Sequence, residues 1–146
     1  HAVYSIAPHK ILRIEGYRAT WAAETNVAIP WTGGHLRGGA SPVRVGNEWW
    51  SFFHGKARRG GATAYNMGLY TFSTEAPFRP LRVIRDPLVW ACHGTKPDGQ
   101  YVSCIFPCGA VRVGDDWIIS SGEHDRWTVL HRFSHSNLES RLRKIS

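Results

Sequence analysis

Short stretches dense in aromatic and β-branched residues follow one another along this chain. Apolar positions almost nowhere recur at the three-to-four spacing of an amphipathic helix. That pattern argues for half-buried strands, in which successive side chains point to opposite faces. The stretches run from Ile11 to Ile14, Pro42 to Val45, Trp49 to His54, Tyr65 to Ser73, Leu81 to Ile84, Ala110 to Val113, Trp117 to Ser121 and Trp127 to Phe133. Between them stand Val45-Gly-Asn-Glu48, Lys96-Pro-Asp-Gly99 and Val113-Gly-Asp-Asp116, turn sequences of the kind that close hairpins. The expected fold is all-β, a meander of antiparallel strands. The exception is the stretch from Ser136 to Arg143, which predicts a turn or two of helix with Ser136 as its N-cap.

Two parts of the chain resemble each other. Ser41-Pro-Val-Arg-Val-Gly-Asn-Glu-Trp49 runs into Ser51-Phe-Phe-His-Gly55, and Cys108-Gly-Ala-Val-Arg-Val-Gly-Asp-Asp-Trp117 runs into Ser120-Ser-Gly122. In each, a Val-Arg-Val strand meets a Gly-Asn or Gly-Asp turn, and a Trp opens the next strand, which ends in polar residues at Gly. A recurrence at such a period is the mark of propeller blades. It predicts two to three antiparallel β-propeller-like blades, with the polar strand ends, His54 and Asp125 among them, on one rim.

Composition narrows the class. Hydrophobic residues make up 42% and charged residues 20% of 146 positions, so the chain is expected to fold throughout, as one domain over residues 1–146. Seven Trp, five Tyr and six Phe suit β-structure and also suit sugar binding, where flat rings stack on apolar sugar faces. No apolar run approaches the roughly 20 residues that cross a bilayer. An odd cysteine count, Cys92, Cys104 and Cys108, favours a reducing compartment, so a cytoplasmic protein is expected. Cys104-x-x-x-Cys108 is not spaced as in a zinc knuckle and would need partners from elsewhere in the chain, so no metal is expected.

The formal charge of +7 raises the question of an acidic partner, yet the basic residues are scattered. Lys56-Ala-Arg-Arg59 and Arg141-Leu-Arg-Lys144 are the dense blocks, and nucleic-acid binding ranks last among the readings. Gly38-Gly39 has no Gly-Lys-Ser or Gly-Lys-Thr after it and reads as a turn that admits a close backbone approach. Glu123 and Asp125 stand at alternate positions, so on a strand both would face one side, as general acid and base must.

Gly38-Gly-Ala-Ser-Pro-Val43, Trp50-Ser-Phe-Phe-His-Gly55, Tyr65-Asn-Met-Gly68, Phe78-Arg-Pro-Leu-Arg82 through Asp86-Pro-Leu88, Ile105-Phe-Pro-Cys-Gly109 and Gly122-Glu-His-Asp125 together resemble glycoside hydrolase family 130. These are the β-mannoside phosphorylases and mannosidases, and the likeness is to the C-terminal half of their five-bladed propeller. Carried over by position, the resemblance implies a phosphate or water site at His35, Arg37, His54 and Tyr65, and sugar hydroxyl binding at Asp125 with Tyr65. It implies no organic cofactor, with inorganic phosphate as a co-substrate. His35 stands where the family has Lys, which weakens the phosphate site. The family's general acid Asp comes from the other half of its propeller, so catalytic residues stay unassigned.

Three readings follow. The first is a glycosidase or glycoside phosphorylase-related protein acting on a β-mannoside-like carbohydrate. The second is a non-catalytic carbohydrate-binding protein, and the third a basic polyanion-binding one. A partial propeller leaves open edges and blade faces, so a homo-oligomer, or docking onto a missing half-propeller, is expected.

Overall fold

The computed structural model describes residues 1–59, 62–91, 94–95 and 101–146. Cys92 and the Lys96 to Gly99 turn lie outside them. The elements are β1 (Ala2–Ser5), β2 (His9–Glu15), β3 (Arg18–Thr25), β4 (His35–Gly39), β5 (Val43–Val45), β6 (Glu48–Arg59) and β7 (Ala62–Ser73). They continue with β8 (Pro80–Val83), β9 (Gly94–Thr95), β10 (Tyr101–Val113), β11 (Asp116–Glu123), β12 (Trp127–Ser134), α1 (His135–Arg141) and β13 (Arg143–Lys144). The described residues are all-β apart from that one short helix.

Hydrogen bonding organises the strands into a three-stranded sheet, β1-β2-β3, and a larger sheet. The larger sheet contains two antiparallel meanders. The central one runs from β4 and β5 through β6 and β7 to β8, with β13 added beside β8. The C-terminal one runs β10-β11-β12, with β9 pairing β10. A short parallel pairing, Ser103 with Ala64 and Cys104 with Tyr65, joins the two.

Period two decides which side chains meet. On β6 and β7, Trp50, Phe52, Met67 and Leu69 point to one face and pack with Ile105, Trp117 and Ile119 of the C-terminal meander and with Leu138 of α1. Phe53, Tyr70 and Phe72 point to the other face and pack with Ile6, Ile11 and Ile29. Both faces of the central meander are therefore covered, one by the N-terminal sheet and one by the C-terminal meander.

The repeated hairpins have the same construction. Gly46 and Gly114 take φ of +59° and +61° as the first residue of a two-residue turn, where a left-handed glycine lets the strands twist correctly. Arg44 Nε donates to the Gly46 carbonyl at 3.1 Å and Arg112 Nε to that of Gly114 at 3.1 Å.

Three expectations are corrected. Gly38-Gly39 is no turn but the end of β4, because a side chain at Gly39 would meet the Phe52 carbonyl oxygen at 2.4 Å, so glycine is what allows the strand to lie there. The helix begins one residue before Ser136, and Ser134 caps it by accepting from the Asn137 N–H at 3.2 Å. Asp125 sits in the β11–β12 turn and not on a strand, so alternate spacing does not place it beside Glu123 on one face.

Candidate functional site

The far ends of β4, β6 and β7 bring the residues singled out by sequence onto one face. Arg37 pairs with His54 and His54 with Met67, while His35 pairs with Lys56 and Lys56 with Tyr65. Directly opposed residues share a face of a sheet, and so do residues two apart on one strand. His35, Arg37, His54, Lys56 and Tyr65 therefore lie on the face that packs against the C-terminal meander, just beyond the end of its apolar core. His54 is buried, Tyr65 half-buried, and His35, Arg37 and Lys56 are exposed.

Rings assemble around His54. Its centroid is 3.8 Å from that of Phe106 on β10 and 5.7 Å from that of Tyr65. The Lys56 ammonium lies 6.0 Å from the centre of the Tyr65 ring. Phe106 itself is substantially exposed, so the cluster reaches solvent.

Hydrogen bonding fixes the state of His54. Its Nδ1 lies 2.5 Å from the Gly38 carbonyl oxygen, and since a carbonyl can only accept, Nδ1 carries the proton. Burial lowers the pKa below the ordinary histidine value; the Gly38 bond opposes this, and the Arg37 charge adds to it. A neutral ring donating from Nδ1 keeps a lone pair on Nε2. His54 thus offers an acceptor, suited to a hydroxyl or a water, and the donors for an anion fall to Arg37 and Lys56.

Asp125 is linked to Tyr65 by another route. Tyr65 pairs with Cys104, whose carbonyl accepts from the His124 N–H at 3.0 Å and whose N–H donates to His124 Nδ1 at 3.4 Å. Asp125 follows His124, and the Arg126 N–H donates to the Glu123 carbonyl at 3.1 Å to close the turn. Both His124 and Asp125 take positive φ, 56° and 55°, a conformation that costs a non-glycine residue energy. Asp125 thus follows a residue held by Cys104, the β10 partner of Tyr65.

Phe106 and His124 were not singled out by sequence, and Lys56 only as part of the basic block Lys56-Ala-Arg-Arg59. Its place beside His54 was readable, since it stands two residues beyond and period two puts both on one face. The approach of Phe106 to His54 crosses between meanders, and no local pattern encodes it.

A second feature lies on the opposite face of the same strands. A cavity of about 610 Å³ opens between β1 and the β4–β5 segment, walled by Tyr4, Ile6, Trp49, Phe72 and Phe78 with Ser51 beside them. Among the described residues no Asp, Glu, Lys or Arg lines it, and its polar groups include those of His1, Ser5, Ser41, Ser51 and Thr74. Gly38 is common to the two features, lining the cavity while its carbonyl holds His54.

Among the described residues, no three His, Cys, Asp or Glu side chains are arranged to hold a metal ion. Cys104 is buried and Cys108 exposed. No helix among the described residues is long and apolar enough to cross a membrane. Comparison with protein-family models, with curated proteins and with solved structures finds no match to the chain in any of the three.

Proposed function

We propose that the chain is a blade-type β-domain that binds a β-mannoside-like carbohydrate together with an anion or water, related in kind to the glycosidases and glycoside phosphorylases of family 130. The observation that carries this reading is the single face shared by Arg37, His54, Lys56 and Tyr65. Arg37 and Lys56 supply two cations for a phosphate, one across the ladder from His54 and one two residues further along β6. His54 Nε2 accepts from a sugar hydroxyl, and the exposed Phe106 ring offers a flat apolar surface of the kind that stacks on a sugar face. The blade-like part of the reading is supported by the recurrence of one hairpin, with the same arginine-to-glycine bond, in successive packed meanders.

The reading assigns recognition to these residues and no general acid. Among the described residues, Glu123 and Asp125 stand on β11 and in the turn after it, not on the β4, β6 and β7 strands that carry the His54 face. Calorimetric titration with mannose and with inorganic phosphate, alone and together, tests it. Binding of both is expected, with phosphate affinity at least tenfold lower in Arg37→Ala and Lys56→Ala and sugar affinity lower in His54→Ala. A folded protein that binds neither ligand overturns the reading.

A further inference from the structure

Val43 and Val45 occupy the same positions of the repeated hairpin as Val111 and Val113, yet the two pairs have different surroundings. Val43 and Val45 are half-buried against the cluster that the C-terminal meander completes. Val111 and Val113 are 52% and 62% exposed. The repeated Trp points the other way in both copies. Trp117 is buried against Trp50 and Phe52 of the central meander, and Trp49 packs on Phe72 within the cluster shared with the N-terminal sheet.

Each of the two meanders therefore turns its Trp face back toward the preceding layer and its valine face the other way. The stack has a direction and two unlike ends. One end is the outward face of β10–β12, carrying Val111, Val113 and Leu130, the last 69% exposed. The other is the outward face of β1–β3, carrying Trp21, 61% exposed, with Tyr4 packed edge-on against it at 5.2 Å. Large apolar side chains gathered on an open sheet face mark an interaction surface.

We propose that a second copy of this chain docks head to tail, its β1–β3 face on the β10–β12 face of the first. The occupant is identified by continuity: inside the molecule the valine face is covered by the Trp-bearing face of another sheet of the same kind, and the outward β1–β3 face presents an uncovered Trp in that sense. Unlike faces give a contact that either closes into a ring or propagates. The described residues of each copy form three layers, the N-terminal sheet and two meanders, so two copies bring six layers, within the roughly four to eight blades that propellers hold, and three copies exceed it. The inference rests on the blade-like arrangement proposed above and is independent of its carbohydrate part, which the sugar titration tests separately.

Sedimentation of the chain, of Trp21→Glu, of Leu130→Lys and of an equimolar mixture of the two variants tests the proposal, with circular dichroism confirming native β-structure in each. The expected result is a dimer at tens of micromolar for the unmodified chain and monomers for each variant alone. The mixture should regain a dimer, since it retains one intact pair of faces. A folded unmodified chain that sediments as a monomer overturns the proposal, and so does a dimer that survives both changes. Loss of the dimer in one variant alone also overturns it, because that marks a contact between like faces.

Discussion

Trp50 of β6 and Trp117 of β11 lie ring on ring, centroids 5.4 Å apart and planes 15° apart, and they pin the central meander to the C-terminal one. Trp117 also donates from Nε1 to His135 Nδ1 at 3.1 Å, which ties the start of α1 to the same contact. Both indoles are almost wholly buried, so removing one deletes apolar contact on three elements at once. Trp117→Ala is expected to cost about 3–5 kcal/mol through the cavity it leaves. Urea unfolding followed by circular dichroism measures this. A loss below about 0.5 kcal/mol, the level of an ordinary surface change, contradicts this packing.

Acid should destabilise the fold through its buried histidines. His9 is 1% exposed, with rings of Phe72 and Tyr70 at 5.0 and 5.7 Å and its Nε2 3.2 Å from the Tyr70 hydroxyl. Burial lowers its pKa to about 4, against about 6.5 in the unfolded chain. The unfolded state takes the proton first, so this contribution is complete above about pH 6.5 and is lost as pH falls toward 4, by on the order of 3 kcal/mol. His54, His131 and His135 are lowered too, each mainly by burial, and their slopes have the same sign. Unfolding free energies measured across this window should fall with acidity, and His9→Phe should remove a large share of the slope. An unchanged slope in that variant would place the titration elsewhere.

The legible part of this fold is the part whose local pattern and tertiary role agree. Strands around Trp49, Tyr65, Trp117 and Trp127 were readable because aromatic and β-branched side chains both prefer a pleated surface and fill the space between sheets. β3 was not, since Ala19, Ala22 and Ala23 carry little strand preference, and the pairing of Ala19 with Ile14 and of Ala23 with Ile11 holds the strand. β4 was hidden by Gly38-Gly39, whose composition suggests a turn while its surroundings demand a strand without side chains. At the candidate site, His54 and Tyr65 stood out at strand ends. Lys56 was masked because β6 continues past the apolar pattern to Arg59, and Phe106 because its place beside His54 depends on how two meanders meet.

The turn at His124 and Asp125 permits a test that separates backbone from side chain. With both residues at positive φ, any Cβ is disfavoured and a β-branched one most of all. Asp125→Gly and Asp125→Val each delete the carboxylate, so the difference between them reports the turn alone. The valine variant is expected to be less stable than the glycine variant by about 1–2 kcal/mol. If Asp125 also binds sugar hydroxyls, both variants should lose mannose affinity equally, measured by calorimetry. Equal stability of the two would mean that the turn does not hold the left-handed conformation.

Adjacent glycines in β4 should respond in opposite ways to the same substitution. A methyl group at Gly39 would stand 2.4 Å from the Phe52 carbonyl oxygen and 2.9 Å from the Phe53 Cα, both backbone atoms of β6 that cannot swing aside. At Gly38 nothing lies within 4 Å of the added carbon. Gly39→Ala must push β4 away from β6 and is expected to cost about 1–3 kcal/mol, as overpacking does. Gly38→Ala should be close to neutral, and it leaves the carbonyl that holds His54 in place. The displaced β4 of the Gly39 variant should also loosen the Gly38–His54 bond, since that carbonyl moves with the strand. The His54 ring signals in a nuclear magnetic resonance titration should then shift in Gly39→Ala and stay put in Gly38→Ala. The reverse pattern would show that β4 approaches β6 by a different register from the one described.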